Sequence, residues 1–279
     1  GSLLFGLGAA LAWGVHDLCV RHVSQRTGVL AALMTVLASG AVMVLPVALI
    51  WGDWRALGGR GLGLSALSGL AFVVGGIGLY RSFAIGPVRL VAPIVGAYPI
   101  LSVGWAAVSG APVPLQDWLA VLMIVAGVGI VAILSDEGAG SHRRRDAILW
   151  AMLGAAGFAA TFALGQAATA SGAELPVILM TRFAAIGAAA LIALALATSL
   201  RPPRRAVPIL MAMGLLDAVA LGLVIAAGTL PNPEYAAVTS SVFGVVTILL
   251  AWAILRERVT LPQWAGVAVV FGGIGWLGI

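Results

Sequence analysis

The sequence has no lysine, one cysteine (Cys19), and charged residues at only 9% of its 279 positions. Each scarcity excludes something. A single cysteine leaves no intrachain disulfide framework and no cysteine-rich metal site. Soluble proteins are about a quarter charged, whereas this chain is 62% hydrophobic and has a mean hydropathy of +1.12. It cannot cover itself with polar surface in water. Soluble enzymes, disordered tails and nucleic-acid-binding domains are therefore excluded, and the bilayer is the natural solvent. Catalytic signatures are missing too. There is no H-E-x-x-H, no G-x-S-x-G and no Walker loop, and Gly214-Leu215-Leu216-Asp217 lacks the second glycine of the intramembrane aspartyl protease pattern G-x-G-D. Gly61-Leu62-Gly63 and Gly127-Val128-Gly129 lie in apolar runs, where a dinucleotide site does not fit. The expectation is a protein that is not an enzyme, holds no cofactor or metal, and does not hydrolyse ATP itself.

What the chain does have is apolar runs of membrane-spanning length, about 20 residues each. Ten are read, at 2–21, 29–50, 62–83, 90–109, 116–135, 147–169, 176–198, 207–229, 235–255 and 261–279. None alternates apolar and polar residues as the strands of a β-barrel do. The predicted fold class is an all-α membrane protein with ten transmembrane helices. The linkers are short, so consecutive helices are expected to be antiparallel neighbours. The first run has the look of a signal peptide, but it has a counterpart later in the chain and is read as a span.

Sliding the sequence by 146 residues brings that counterpart into register. Gly8-Ala9-Ala10 meets Gly154-Ala155-Ala156, and Leu33-Met34-Thr35 meets Leu179-Met180-Thr181. Pro87 meets Pro233, Trp118 meets Trp264, and Gly127 and Gly129 meet Gly273 and Gly275. The predicted organisation is a first five-helix repeat over 1–140, a basic linker over 136–146, and a second five-helix repeat over 146–279. Five is odd, so the second repeat is inverted relative to the first. Inverted repeats enclose a midplane site and allow alternating access around a central cavity.

The net charge is +5, and all 15 basic residues are arginine. Twelve fall at odd-numbered connections: Arg21, Arg26, Arg81, Arg89, Arg143, Arg144, Arg145, Arg201, Arg204, Arg205, Arg256 and Arg258. Cytoplasmic loops carry the excess of arginine. The odd connections are thus expected inside and both termini on the periplasmic side of a bacterial inner membrane.

Several stretches resemble the EamA-type branch of the drug/metabolite transporter superfamily. They are Trp13-Gly14 in the first span, Tyr80-Arg81-Ser82-Phe83-Ala84-Ile85-Gly86-Pro87 at the third-span exit, and Leu255-Arg256-Glu257-Arg258-Val259-Thr260-Leu261 with Gln263, Trp264 and Gly266. The sequence departs from the pattern at Gly110-Ala111-Pro112, which leaves Glu257 without a symmetry partner, and at Ala159-Ala160 in place of Trp13-Gly14. The resemblance implies a secondary or facilitative carrier of small metabolites, and the aromatic content resembles that of bacterial exporters of aromatic amino acids. A drug or nucleotide-sugar-type carrier is the alternative, followed by an intramembrane enzyme. The implied partners are a small-molecule substrate and the lipid bilayer, with no nucleic acid. Ten helices are enough to enclose a path in a monomer.

Polar side chains at membrane depth are expensive and mark pathways or partners. Asp217 is the first candidate for proton coupling or for contact with a substrate ammonium; the alternative is an ion pair with Arg182. Arg182 is read as a carboxylate anchor, or as half of that pair. His16 is a titratable candidate or a helix-packing group. Asp17 is a second coupling candidate, or pairs with Arg21 at i,i+4. Trp13, His16, Tyr80, Tyr98, Phe158, Phe162, Arg182 and Ser241 are the candidate substrate-binding residues. Their aromatic members suit a hydrophobic amino acid through stacking and cation–π attraction. Pro93 and Pro99 around Gly96 interrupt the fourth span and are read as a gating hinge, with 239–245 as its counterpart.

Overall fold

The computed structural model describes residues 1–108, 113–134, 141–231 and 234–277. The described residues form twelve α-helices and no strand. In chain order these are α1 (Ser2–Val23), α2 (Val29–Trp51), α3 (Gly59–Ile85), α4 (Val88–Gly96), α5 (Pro99–Val108), α6 (Leu115–Leu134), α7 (Ser141–Ala168), α8 (Glu174–Ala195), α9 (Val207–Ala226), α10 (Glu234–Ser240), α11 (Phe243–Leu250) and α12 (Leu261–Leu277). Pro233, Gly110-Ala111-Pro112 and residues 136–140 of the expected linker lie outside the described residues. Arg143, Arg144 and Arg145 stand on the first turns of α7, so that part of the linker is helix.

Among the described residues, seven helical stretches are long and apolar enough to cross a membrane: Ser2–Val23, Val29–Trp51, Gly59–Ile85, His142–Ser171, Glu174–Ala195, Arg204–Thr229 and Tyr235–Leu255. Val88–Leu101 and Leu115–Val131 are shorter apolar helices. The expected fourth span falls short because it is broken at Ala97–Tyr98, where Pro99 opens a new helix as its first residue. The expected fifth and tenth spans, α6 and α12, run up to residues outside the described set.

The core is built between the two halves of the chain. Helix α1 packs on α9, α10 and α11; α2 packs on α8 and α9; α3 packs on α7 and α8; α4 packs on α7 and α11; and α6 packs on α12. The 146-residue offset maps α1 on α9 to α7 on α3, and α2 on α9 to α8 on α3. It maps the pairs α2/α8 and α6/α12 onto themselves, and the broken helix α4–α5 onto α10–α11. Outward faces carry Leu4, Leu11, Leu49 and Leu194, all more than 60% exposed, and the hydrocarbon of a bilayer is the solvent that such faces fit.

Small residues set how close the helices come. A Cβ on Gly157 of α7 would strike the backbone of Gly75 on α3, and one on Gly78 would strike the backbone of Gly154. Backbones in direct contact maximise dispersion, the main glue between helices in lipid. The corresponding pair α1/α9 has no such seam. There the offset replaces Gly157 with Leu11 and Gly75 with Leu221. Helix α1 instead leans on α10 and α11, where a Cβ on Gly6 would meet the Ala236 carbonyl at 2.6 Å and one on Gly14 would run into Val246. The two broken helices also meet at their breaks. A Cβ on Gly96 would lie 3.0 Å from the Ser241 carbonyl oxygen, and one on Gly244 would lie 3.0 Å from that of Ala92.

Candidate functional site

A narrow pocket lies where the repeats meet. Helix α1 supplies its first wall. Trp13, His16 and Asp17 stand at i, i+3 and i+4 and so share one helix face. Tyr80 and Leu79 come from α3, Tyr98 from the break after α4, Phe158 and Phe162 from α7, Asp217 from α9 and Phe243 from α11. Eight of the ten residues singled out in the sequence for substrate binding or coupling line this space.

The walls are aromatic. Phe158 and Phe162 stack one turn apart on α7 with centroids 6.1 Å apart and planes 10° apart. Phe162 touches Trp13 at 5.4 Å and Tyr98 at 5.1 Å between centroids, and Phe72 meets Phe158 edge to face at 5.8 Å. These distances match favourable aromatic pairs. Phe72, Phe243, Leu33, Val36 and Gly76 complete the lining. Leu33, Val36 and Gly76 escaped sequence reading, because nothing distinguishes them from packing residues until α2 and α3 are placed side by side.

Two polar pairs interrupt the apolar wall. Asp217 accepts from Arg182 Nη2 at 2.7 Å and from Trp13 Nε1 at 3.1 Å. The ion-pair alternative for Asp217 and Arg182 is therefore the observed one, and Trp13 ties it to the other repeat. Arg182 is fully buried behind Asp217, outside the residues that line the cavity. A Cβ on Gly40 would strike the Arg182 guanidinium, and one on Gly214 would strike Ser39 and the Val36 carbonyl. The second pair is His16 and Asp17, whose Nδ1 and Oδ1 atoms are 2.8 Å apart.

Asp17 does not pair with Arg21. The Arg21 side chain points away, donating from Nη1 to the Phe83 carbonyl at 2.6 Å and lying with Nε 3.7 Å from Glu257. Glu257 accepts from the backbone N–H groups of Val88 and Arg89, at the start of α4. Its position follows from the backbone. Residues Ala251–Leu255 form a π-helical turn, and Arg256 then takes a left-handed φ of 55°, a conformation that non-glycine residues adopt only when their surroundings impose it. The second repeat thus reaches into the first one turn beyond Asp17 and Tyr80, with Arg89 and Arg143 in the electrostatic neighbourhood. Arginines of the first, third and fifth connections gather at this end. At the other end Gly52 lies against Pro176, and Ser2 donates to the Pro231 carbonyl.

Ser241, just after α10, is fully buried, donates to the Val238 carbonyl of α10 at 2.6 Å, and lies outside the residues that line the cavity. Its carbonyl packs on Gly96. Pro93 sits inside α4, Gly96 ends it and Pro99 starts α5, so the three residues do surround a helix break. Tyr98 in that break donates to the Ala237 carbonyl (2.6 Å) or shares a proton with Ser240 (2.5 Å) on α10. Gln166 donates to the Val224 carbonyl and lies away from the cavity. No cluster of three or more metal-binding side chains occurs among the described residues.

Fold and pocket together define a two-repeat helical membrane protein with a narrow, aromatic-lined pocket at the repeat junction. The EamA-like transporter family matches twice, over residues 1–133 and 145–279, and the chain belongs to that family. It is therefore a membrane transporter of small molecules. A solved structure titled "Crystal structure of protein" superposes with a TM-score of 0.73 at 15% identity, covering 99% of this chain and 96% of that one; the likeness is one of fold. Comparison with curated proteins returns no match.

Proposed function

We propose that this protein is a secondary or facilitative carrier that exports small metabolites, with hydrophobic and aromatic amino acids as its substrate class. The observation that carries this reading is the composition of the chamber. Stacked phenylalanines and Trp13 offer faces to an apolar side chain and to an ammonium group, while Asp17, His16, Tyr80 and Asp217 supply polar contacts within the same space. In this reading the ten apolar runs form two inverted sets of five, and the chamber opens to one side at a time. The odd connections lie in the cytoplasm of a bacterial cell, both termini lie in the periplasm, and one chain suffices. Asp17 and Asp217 are the carboxylates that couple protons to transport, and the paired breaks at Pro93–Pro99 and 239–245 are where the path opens.

Two carboxylates facing one cavity also favour a second reading, a carrier of aromatic cations of the drug type. Uptake of radiolabelled amino acids into proteoliposomes, with and without an imposed proton gradient, tests the first. Saturable accumulation with counterflow is expected. No flux of any amino acid would overturn the substrate class, and chemical conversion of the label would reveal an enzyme.

A further inference from the structure

Two atoms in the chamber have no partner. His16 is 3% exposed and Tyr80 is 1% exposed. Their rings stand edge to face, with centroids 6.3 Å apart. The Tyr80 hydroxyl and His16 Nε2 are both buried without a hydrogen bond. Every other buried side-chain polar atom among the described lining residues is satisfied: Asp217 by Arg182 and Trp13, Tyr98 by α10, and His16 Nδ1 by Asp17. Buried polar groups in native proteins are nearly always paired, so two adjacent orphans facing a cavity mark a place that a ligand fills.

We infer that Tyr80 and His16 together clamp the carboxylate of the carried molecule, so that the chamber takes aromatic amino acids in preference to the corresponding amines. The inference rests on the amino-acid reading above and adds the polar end of the substrate. The phenol supplies one O–H donor. The imidazole supplies a second from Nε2, either when Nδ1 accepts a proton shared with Asp17 or when the ring is protonated against the Asp17 carboxylate. A substrate carboxylate selects these forms. Asp17 acts behind the ring as a positioning residue, fixing its orientation through Nδ1 much as a carboxylate fixes the second nitrogen of a metal-bound histidine. Two converging donors match the two oxygens of a carboxylate. One helical turn away on the same face of α1, Trp13 presents its ring beside Asp217, a fitting place for the ammonium. Phe158 and Phe162 then receive the side chain.

The test uses purified full-length protein with L-phenylalanine and phenethylamine, which differ by the carboxylate alone. Ligand-induced thermal stabilisation reads binding, and counterflow in proteoliposomes reads transport. The wild type is expected to half-saturate with phenylalanine at a concentration about tenfold below that for phenethylamine. Tyr80→Phe is expected to remove that preference by weakening phenylalanine alone, while the ligand-free melting temperature stays level or rises, because an unpaired buried hydroxyl has been removed. His16→Gln, which keeps a donor, is expected to lose less affinity than His16→Leu. Equal binding of the two compounds by the wild type, or an unchanged preference in Tyr80→Phe, overturns the clamp and leaves an aromatic carrier standing. Binding of neither compound overturns both the clamp and the amino-acid reading.

Discussion

Arg182 on α8 donates to Asp217 on α9 at 2.7 Å, and the guanidinium is entirely shielded from solvent. The guanidinium Nε and Nη1 atoms have no partner, so the arginine depends on this one carboxylate. Removing one member of a buried pair strands the other charge, at a cost of about 3–5 kcal/mol. Arg182→Leu is expected to lower the melting temperature in detergent sharply. The double variant Arg182→Leu/Asp217→Leu is expected to be more stable than the single one, because no charge is left alone. A double variant as unstable as Arg182→Leu would show that packing, not charge, dominates at this position.

The seam between α3 and α7 makes a second expectation. Gly78 lies against the backbone of Gly154, and Gly75 against that of Gly157. A valine at Gly78 forces the helices apart and cannot be absorbed by a rotamer change, because the obstacle is main chain. Gly78→Val should lose transport in vesicles and fold poorly, whereas Gly63→Val, where a Cβ meets nothing, should do neither. Equal behaviour of the two variants would mean that the seam does not fix the structure.

Glu257 ties Arg21 to the start of α4 at the arginine-rich end of the bundle. Glu257→Gln removes the ion pair and keeps the side-chain length. In a Cys19→Ser background carrying Leu79→Cys, this change should speed labelling by a membrane-impermeant thiol reagent several-fold from the arginine-rich side and not from the other. An unchanged rate on both sides would show that the contact does not hold the chamber shut.

Pro99 is the first residue of α5, a position where the missing N–H has no helical partner to lose. Pro99→Ala should therefore cost little stability, under about 1 kcal/mol, while slowing counterflow if the break moves during transport. Counterflow at the wild-type rate would rule out this segment as a hinge.

Most of the chamber was legible in the sequence because polar and aromatic residues are rare inside apolar runs. Trp13, His16, Asp17, Tyr80, Tyr98, Phe158, Phe162 and Asp217 stood out on that ground alone, and all line it. The two expected site residues that lie off the lining share a cause. Arg182 and Ser241 are equally conspicuous in the chain, but whether a side chain faces the cavity or its own scaffold depends on the rotation of its helix, and that is set by neighbours more than 30 residues away. The Arg21 pairing failed for a related reason. The i,i+4 rule describes an isolated helix, whereas here a carboxylate from the far end of the chain competes for the guanidinium. The repeat predicted the exchange of helices between halves only implicitly. The offset shows two similar units without showing that each packs on the other more than on itself.

That exchange bears on how the protein is made. Helix α1 holds Trp13, His16 and Asp17, and its packing partners are α9, α10 and α11, more than 200 residues downstream: Trp13 meets Asp217 at a separation of 204 and Gly14 meets Thr247 at 233. A ribosome adds about 5–20 residues each second, so α1 waits on the order of ten seconds or more in the membrane before its partners exist. Until α3 brings Tyr80, its histidine and aspartate have only each other. The 2.8 Å contact between neighbours on one helix needs no later segment, whereas Asp217 and Phe243 join the lining only as the last third of the chain arrives.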